Sequence, residues 1–240
     1  MPKMPASAPK PSIRFTTTKN LSVQAYEKMR EAIITLELQP GETVQENEMA
    51  ASLGISRTPV RDAFHLLISE QLIEVLPQRT KKIALISVSK VLESSMVRLS
   101  LESTAFRVAA SQWGSTSEYA KAEKYLEYVL EEQRDAAEQQ DTKLFMQWDE
   151  EFHRQIMLLC GNQTLIDVVN QMRGHLNRLR FLAMKELVLT KGLVKEHDEL
   201  FELLKKRDEE GVVQLLEAHL GKIRSEIPPL REKFAHYFQD

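Results

Sequence analysis

The stretch from residue 46 to residue 67 constrains the fold of this 240-residue chain more than any other, and it reads ENEMAASLGISRTPVRDAFHLL. It contains two short segments of helical spacing with a tight corner between them. Gly54 stands at the corner, where glycine adopts a left-handed backbone conformation without a steric penalty. Ser56 is placed to cap the second helix. Apolar residues then recur at helical intervals and predict one buried edge: Val60, Ala63, Phe64 and Leu67. The stretch therefore predicts a helix–turn–helix.

Two arginines lie off this apolar edge. Arg57 and Arg61 are one helical turn apart, so they point outward together from the N-terminal turns of the second helix. A guanidinium fork fits guanine O6 and N7 or a phosphate, which suits a helix that enters the DNA major groove. The alternative is a surface helix whose arginines are only solvated, and for an isolated pattern that alternative would be preferred. The flanking residues favour DNA binding.

The flanking residues predict the other parts of a winged helix–turn–helix domain over 21–86. A helix is expected over 21–36, and residues 72–76 and 81–86 read as two strands around a turn. This hairpin would be a wing whose basic side chains can touch a phosphate backbone or the minor groove: Arg79, Lys81 and Lys82.

Charge and composition fit a DNA-binding module joined to a second domain. The net charge is −3, but residues 1–90 carry a balance of +3 and residues 91–240 one of −6. Residues 1–20 are rich in proline, serine, threonine and lysine and predict a flexible arm. Cys160 is the single cysteine, so no disulfide can form within the chain. No apolar run is long enough to span a membrane and no secretory signal is evident, so a cytoplasmic location is expected.

A resemblance to a known family rests on AIITLELQPGETVQENEMAASLGISRTPVRDAFHLLISEQLIEVLPQ. This stretch is similar to the DNA-binding domain of GntR-type bacterial transcription regulators, and SRTPVRDA is close to the family signature. The resemblance implies that Arg57 and Arg61 are the main DNA contacts, that Ser56 and Thr58 reach phosphates, and that the wing lies beside the duplex. The chain departs from the family at three positions where glycine is usual: Leu36, Gln71 and Thr80.

From residue 87 onward the sequence predicts helices only. Breakers divide it into six segments, with a tail after Pro228 and Pro229: 88–111, 116–140, 142–160, 163–187, 190–206 and 209–226. The predicted fold class is therefore mainly α, an N-terminal winged helix–turn–helix followed by an all-helical six-helix bundle in residues 87–240. The first of these helices has a second apolar side, which suggests a subunit interface: Leu92, Met96, Leu99 and Phe106.

Three of the predicted helices carry polar residues within their apolar stripes. Asp149 and His153 lie one turn apart in segment 142–160, and a hairpin folded near residue 208 sets His197 opposite His219. A single histidine in such a stripe is usually an ordinary buried residue with a hydrogen-bond partner. Four converging polar residues instead favour a shared divalent transition metal, with zinc the leading candidate and nickel, iron or manganese as alternatives.

The second half also resembles a known domain, in the stretches MVRLSLESTAFRVAA, WDEEFHRQIMLLCGNQTL and EHDELFELLKKRDEEGVVQLLEAHL. They are similar to the FCD effector domain of the FadR-type branch of the GntR family. In metal-binding members an aspartate and three histidines hold the ion, and they match the four residues above. The resemblance also implies an effector pocket for a small organic acid at Arg98. The alternative role for Arg98 is an ion pair with Glu102, four residues further along the helix.

The leading hypothesis is a homodimeric transcription regulator that binds a palindromic operator in double-stranded DNA. A small carboxylic acid at the metal would shift its DNA affinity. Two alternatives are open: a metalloenzyme in which the ion activates water, and a metal that only stabilises a dimerisation domain. No spare general base is evident for an enzyme, since Glu150 and Glu151 point away from the Asp149 face.

Overall fold

A computed structural model describes residues 20–239, except for the side chain of Arg79. The predicted arm therefore lies outside the described residues, apart from Asn20. Within this range the chain forms ten α-helices and three short strands. The helices are α1 (Leu21–Ile34), α2 (Glu46–Leu53), α3 (Arg57–Ser69), α4 (Val88–Gln112), α5 (Ser117–Glu138), α6 (Thr142–Leu159), α7 (Gln163–Leu187), α8 (Thr190–Lys205), α9 (Glu209–Gly221) and α10 (Ile223–Lys233). The strands are β1 (Thr43–Val44), β2 (Ile73–Val75) and β3 (Lys81–Ile83).

The first three helices and the strands form the predicted winged helix–turn–helix. Gly54 follows α2 with a φ of 67° and makes the left-handed corner. Ser56 is the N-cap residue of α3, as predicted, although its side chain makes no capping hydrogen bond. The inward side chains pack into one apolar cluster that includes Met29, Ile33, Val60, Phe64, Leu67, Leu72 and Ile83.

The wing differs from the prediction in two respects. A further strand, β1, pairs with β3, so the antiparallel sheet has the order β1–β3–β2. β3 ends at Ile83 and not at Ile86, because the chain beyond it finds other partners. The carbonyl of Ala84 accepts a hydrogen bond from Arg178, and Ile86 forms a parallel bridge with Phe238 near the C-terminus.

Left-handed backbone conformations occur at two of the three positions where the resembling family usually has glycine. Leu36 has a φ of 58° and Gln71 a φ of 59°. In the wing the left-handed residue is Gln78, with a φ of 65°, whereas Thr80 has a φ of −65°. Residues with a Cβ are uncommon at positive φ, so other contacts have to hold these two turns. Leu36 packs against the apolar core, whereas Gln71 is exposed and its carbonyl contacts a ring nitrogen of His175.

The second half contains seven described helices where six were predicted. α4 to α8 agree with the predicted segments to within a few residues, but the last segment is divided at Lys222 into α9 and α10. α10 continues through Pro228 and Pro229, where a tail was predicted. A proline inside a helix costs roughly 3 kcal/mol. Ile227 and Leu230 offset that cost by packing into an apolar cluster with residues of α4 and α7.

Fewer apolar residues are exposed on the outer side of α4 than predicted. Phe106 is fully buried in the main apolar cluster of the bundle, so its assignment to a subunit interface is wrong. Met96 remains 68 % exposed, while Leu92 and Leu99 are partly buried against the core.

α7 joins the two halves through buried polar contacts. Arg178 is fully buried, and its guanidinium donates to the backbone carbonyls of Ala84 and Leu85, which lie between the wing and α4. The same guanidinium contacts His175 Nδ1 at 2.7 Å, and His175 Nε2 lies 3.1 Å from the carbonyl of Gln71. These contacts fix the start of the helical half against the DNA-binding half.

Candidate metal centre and nucleic-acid interface

Four predicted metal ligands meet inside the helical bundle. Asp149 and His153 come from α6, His197 from α8 and His219 from α9, and all four are buried. Each offers a ligand atom, and these atoms lie within 4.8 Å of one another. His197 and His219 face each other because α8 and α9 form a hairpin around Asp208, whose side chain caps α9.

Two distances within the cluster suit a small cation. His197 Nε2 lies 3.4 Å from His219 Nε2 and 3.6 Å from Asp149 Oδ1. Nitrogen ligands of a tetrahedral zinc site are about 3.3 Å apart, as follows from metal–nitrogen bonds of about 2.0–2.1 Å. Asp149 Oδ1 and His153 Nε2 are buried with no hydrogen-bond partner among the described residues. Such unsatisfied buried atoms require a partner of some kind.

The outer contacts of the histidines determine which nitrogen carries the proton. His197 Nδ1 lies 2.7 Å from Gln133 Oε1. The Gln133 amide is oriented by its own donor, because Gln133 Nε2 donates to the carbonyl of Trp148 at 3.1 Å. His219 Nδ1 lies 2.7 Å from a carboxylate oxygen of Glu196. Both Nδ1 atoms therefore face acceptors and must be protonated, which leaves the two facing Nε2 atoms with lone pairs.

Burial keeps these imidazoles neutral. It lowers the pKa of His153 and the pKa of His219 to about 4, and it lowers the pKa of His197 well below its usual range. Neutral lone pairs that face each other repel unless a cation lies between them. The donor set and its outer contacts fit a bound divalent transition metal, since metal-binding histidines commonly donate their other N–H to an oxygen.

Two further charged residues complete the surroundings of the cluster. Arg180 of α7 forms an ion pair with Asp149 Oδ2. Burial alone would raise the pKa of Asp149, but the Arg180 guanidinium holds it far below its usual range, so the carboxylate is ionised. Glu102 of α4 lies 2.8 Å from His153 Nδ1. Asp149 Oδ2 thus pairs with Arg180, whereas Asp149 Oδ1 faces the centre of the cluster.

A small cavity lies beside the cluster. Its volume is about 40 Å³, which is room for a few water molecules or a very small ligand. Its lining combines polar residues (Arg98, Arg180, His219 and Glu226) with apolar ones (Leu176, Ala183, Leu193 and Ile223). Arg98, the predicted effector ligand, lines the cavity but is paired with Glu102, at 2.7 Å between Nε and Oε1. The alternative role of Arg98, an ion pair with Glu102, is therefore present, whereas its role as an effector ligand stays a prediction.

The predicted DNA contacts lie on the outer side of the helix–turn–helix. Ser56, Arg57, Thr58 and Arg61 are exposed at the start of α3. Lys81 is partly buried at the start of β3, and the side chain of Arg79 lies outside the described part of the structure.

Comparison with known protein families distinguishes a regulator from an enzyme. A family model described as "Bacterial regulatory proteins, gntR family" matches residues 21–83, and that of the FCD domain matches residues 93–222, more than half of the chain. The chain belongs to the gntR family of bacterial regulatory proteins. This membership confirms the resemblance and places the chain among transcription regulators and not among enzymes. The metalloenzyme alternative is thereby set aside.

Individual gntR-family relatives agree with this assignment over nearly the whole chain. The HTH-type transcriptional repressor RspR of Escherichia coli is 27% identical over 227 residues, which are 95% of this chain and 97% of RspR. An uncharacterised HTH-type transcriptional regulator of Streptomyces ambofaciens is 30% identical over 211 residues, 86% of this chain and 84% of its own length. Among solved structures, Escherichia coli McbR/YncC has the same fold, with a TM-score of 0.73 at 22% identity over 90% of this chain and 100% of that chain.

No helix within residues 20–239 is long and apolar enough to cross a membrane. Sequence reasoning missed the outer contacts of the aspartate–histidine cluster in this gntR-family chain, namely Glu102, Gln133, Arg180 and Glu196. One signal was available, because Gln133 interrupts an otherwise apolar inward face of α5. Glu196 offered no such signal, because it immediately precedes His197 and lies beside the buried stripe of α8, not within it.

Proposed function

We propose that this gntR-family chain is a ligand-responsive regulator that binds a palindromic operator as a cytoplasmic homodimer. Family membership supports DNA binding, and the exposed Arg57 and Arg61 on one side of α3 support base contacts in the major groove. Ser56, Thr58 and the wing residues Arg79 and Lys81 would contact phosphates. Because the Escherichia coli relative RspR is described as a repressor, repression is the expected mode.

The sensing half of the proposal rests on one observation, the convergence of Asp149 Oδ1 and three neutral imidazoles beside a cavity that contains arginines. We infer that Asp149, His153, His197 and His219 hold a divalent transition metal, with zinc as the first candidate. When bound, such an ion offers coordination positions to a carboxylate. Arg98 would supply positive charge on the cavity side if its guanidinium leaves Glu102 and pairs with the acid.

Control of DNA binding requires that the acid prefers one arrangement of the dimer. Coupling of this kind changes affinity by roughly 5–150-fold in known systems. The ion-paired state of Arg98 and the small cavity favour a second candidate function, in which the metal only stabilises the bundle. The two candidates differ in whether any small acid changes both stability and DNA affinity.

The test begins with DNA selection. Purified protein is used to enrich duplexes from a random pool, and the enriched duplex is then titrated with the Arg57→Ala and Arg61→Ala variants. We expect specific binding to be lost in each, while the dimer persists in size-exclusion chromatography with light scattering. Arg107→Ala serves as the matched control, because Arg107 is an exposed arginine of α4 and lies outside the helix–turn–helix. Unchanged affinity in both α3 variants would refute the proposed DNA contacts.

The sensing half is tested on the same protein. Metal content is measured by mass spectrometry, and small carboxylic acids are then screened for a rise in melting temperature. An acid that raises the melting temperature is added to the DNA titration, where we expect a change in affinity that disappears in Arg98→Ala. If the ion is present and none of the acids affects stability or DNA affinity, the structural-metal candidate is the correct one.

A further inference from the structure

Glu46 connects three parts of the DNA-binding half. It is the first residue of α2, and its side chain is only 8 % exposed. One carboxylate oxygen lies 3.0 Å from Nε of Arg57, the first residue of α3, and the other lies 2.6 Å from Nζ of Lys81, the first residue of β3. A single carboxylate therefore joins the helix before the turn, the recognition helix and the wing.

The contact with Arg57 leaves the outer part of its guanidinium available. Arg57 uses Nε for Glu46, and its Nη groups have no acceptor among the described residues. Its side chain is 64 % exposed although it is ion-paired. A planar guanidinium held along one edge can still present two N–H groups to guanine or phosphate, now in a fixed orientation. Arg61, in contrast, has no ion pair within the described residues.

The contact with Lys81 gives the wing its position relative to α3. The Lys81 side chain is 23 % exposed, and its ammonium also lies 5.4 Å from the centre of the Phe64 ring, which belongs to the core of the helix–turn–helix. Without the carboxylate, two cations would face each other across the gap between α3 and β3. Contact with Lys81, and then with Arg57, lowers the pKa of Glu46, so it remains ionised at neutral pH.

We propose that Glu46 is a positioning residue for DNA recognition, which holds Arg57 and Lys81 as one preorganised pair of cations. This inference rests on the proposed DNA-binding function. Preorganisation matters because an unrestrained arginine loses rotamer freedom on binding, and that loss reduces affinity and specificity. The opposite role is masking, in which Glu46 competes with DNA for the two cations. The two roles predict opposite effects on DNA recognition when the Glu46 charge is removed: positioning predicts a loss, and masking predicts a gain.

The test compares Glu46→Gln with Glu48→Gln. Glu48 is an exposed residue of the same helix, so both variants remove one negative charge from the first turn of α2. Fluorescence anisotropy measures affinity for a duplex enriched by the wild-type protein and for a scrambled duplex of the same composition, at several salt concentrations. Glu48→Gln should strengthen binding to both duplexes alike. Glu46→Gln should lower the ratio of the two affinities by about tenfold, the size of one lost bidentate base contact.

A second variant covers the case in which Glu46→Gln does not fold. Glu46→Asp keeps the charge but is one methylene shorter, so it cannot contact Arg57 and Lys81 together, and the same loss of specificity is expected. An affinity ratio equal to that of Glu48→Gln overturns the proposal, and a higher ratio overturns it in favour of masking. A wild-type protein that enriches no duplex refutes the DNA-binding function itself, which is a separate result.

Discussion

Removal of the metal should destabilise the folded protein by a predictable amount. The four proposed ligands come from α6, α8 and α9 and meet only in the folded chain, so an ion held by them would bind the native state and not the unfolded one. At free metal 100 to 1,000 times the dissociation constant, this linkage contributes about 2.7–4.1 kcal/mol to the free energy of unfolding. A chain of this size changes its melting temperature by about 2–4 °C per kcal/mol, so removal should lower it by roughly 5–16 °C.

The assay is differential scanning fluorimetry on protein treated with a chelator and then supplied again with zinc. Metal content is followed by mass spectrometry at each step. His197→Ala should lose most of the metal-dependent part of the melting temperature. Because His197 is fully buried, its removal also leaves a cavity that destabilises the protein with or without metal. The quantity to compare is therefore the shift caused by metal in each variant.

The matched control is His65→Ala, which removes an exposed imidazole on α3. It should keep the full metal-dependent shift. The reasoning fails if metal is shown to leave the wild-type protein and the melting temperature does not change beyond experimental error. It also fails if His197→Ala and His65→Ala respond to zinc in the same way.

Three further predictions concern single side chains. Gln133→Leu removes the acceptor that orients His197, so metal affinity should fall about 10–100-fold in a chelator competition. Arg178→Met leaves buried carbonyls unpaired, and the free energy of unfolding in urea should fall by about 1–3 kcal/mol for each such group. Burial and the hydrogen bond to Glu70 raise the pKa of Tyr26 to about 12. The unfolded chain releases this proton first, so stability should fall as pH rises from about 10 to 12, and Tyr26→Phe should remove that part of the loss.

Which residues face inward was predictable from local spacing. A helical period places Asp149 and His153 on one face of α6, and the turn at Asp208 sets His197 opposite His219, because both lie at equal distances from the turn. The corner at Gly54 and the outward Arg57 follow from the same kind of short-range rule. These features depend on neighbours within a few residues, so the sequence alone determined the helix–turn–helix and the inward direction of all four proposed metal ligands.

Contacts between distant segments were decided only by the tertiary structure. Gln133 meets His197 across 64 residues and Arg178 meets Ala84 across 94 residues, and no local period encodes either pair. The course of α10 through Pro228 and Pro229 likewise opposes local propensity, since apolar packing against α4 and α7 outweighs the missing N–H groups. Helical period fixes the direction of a side chain, whereas the partner it meets depends on how whole helices pack.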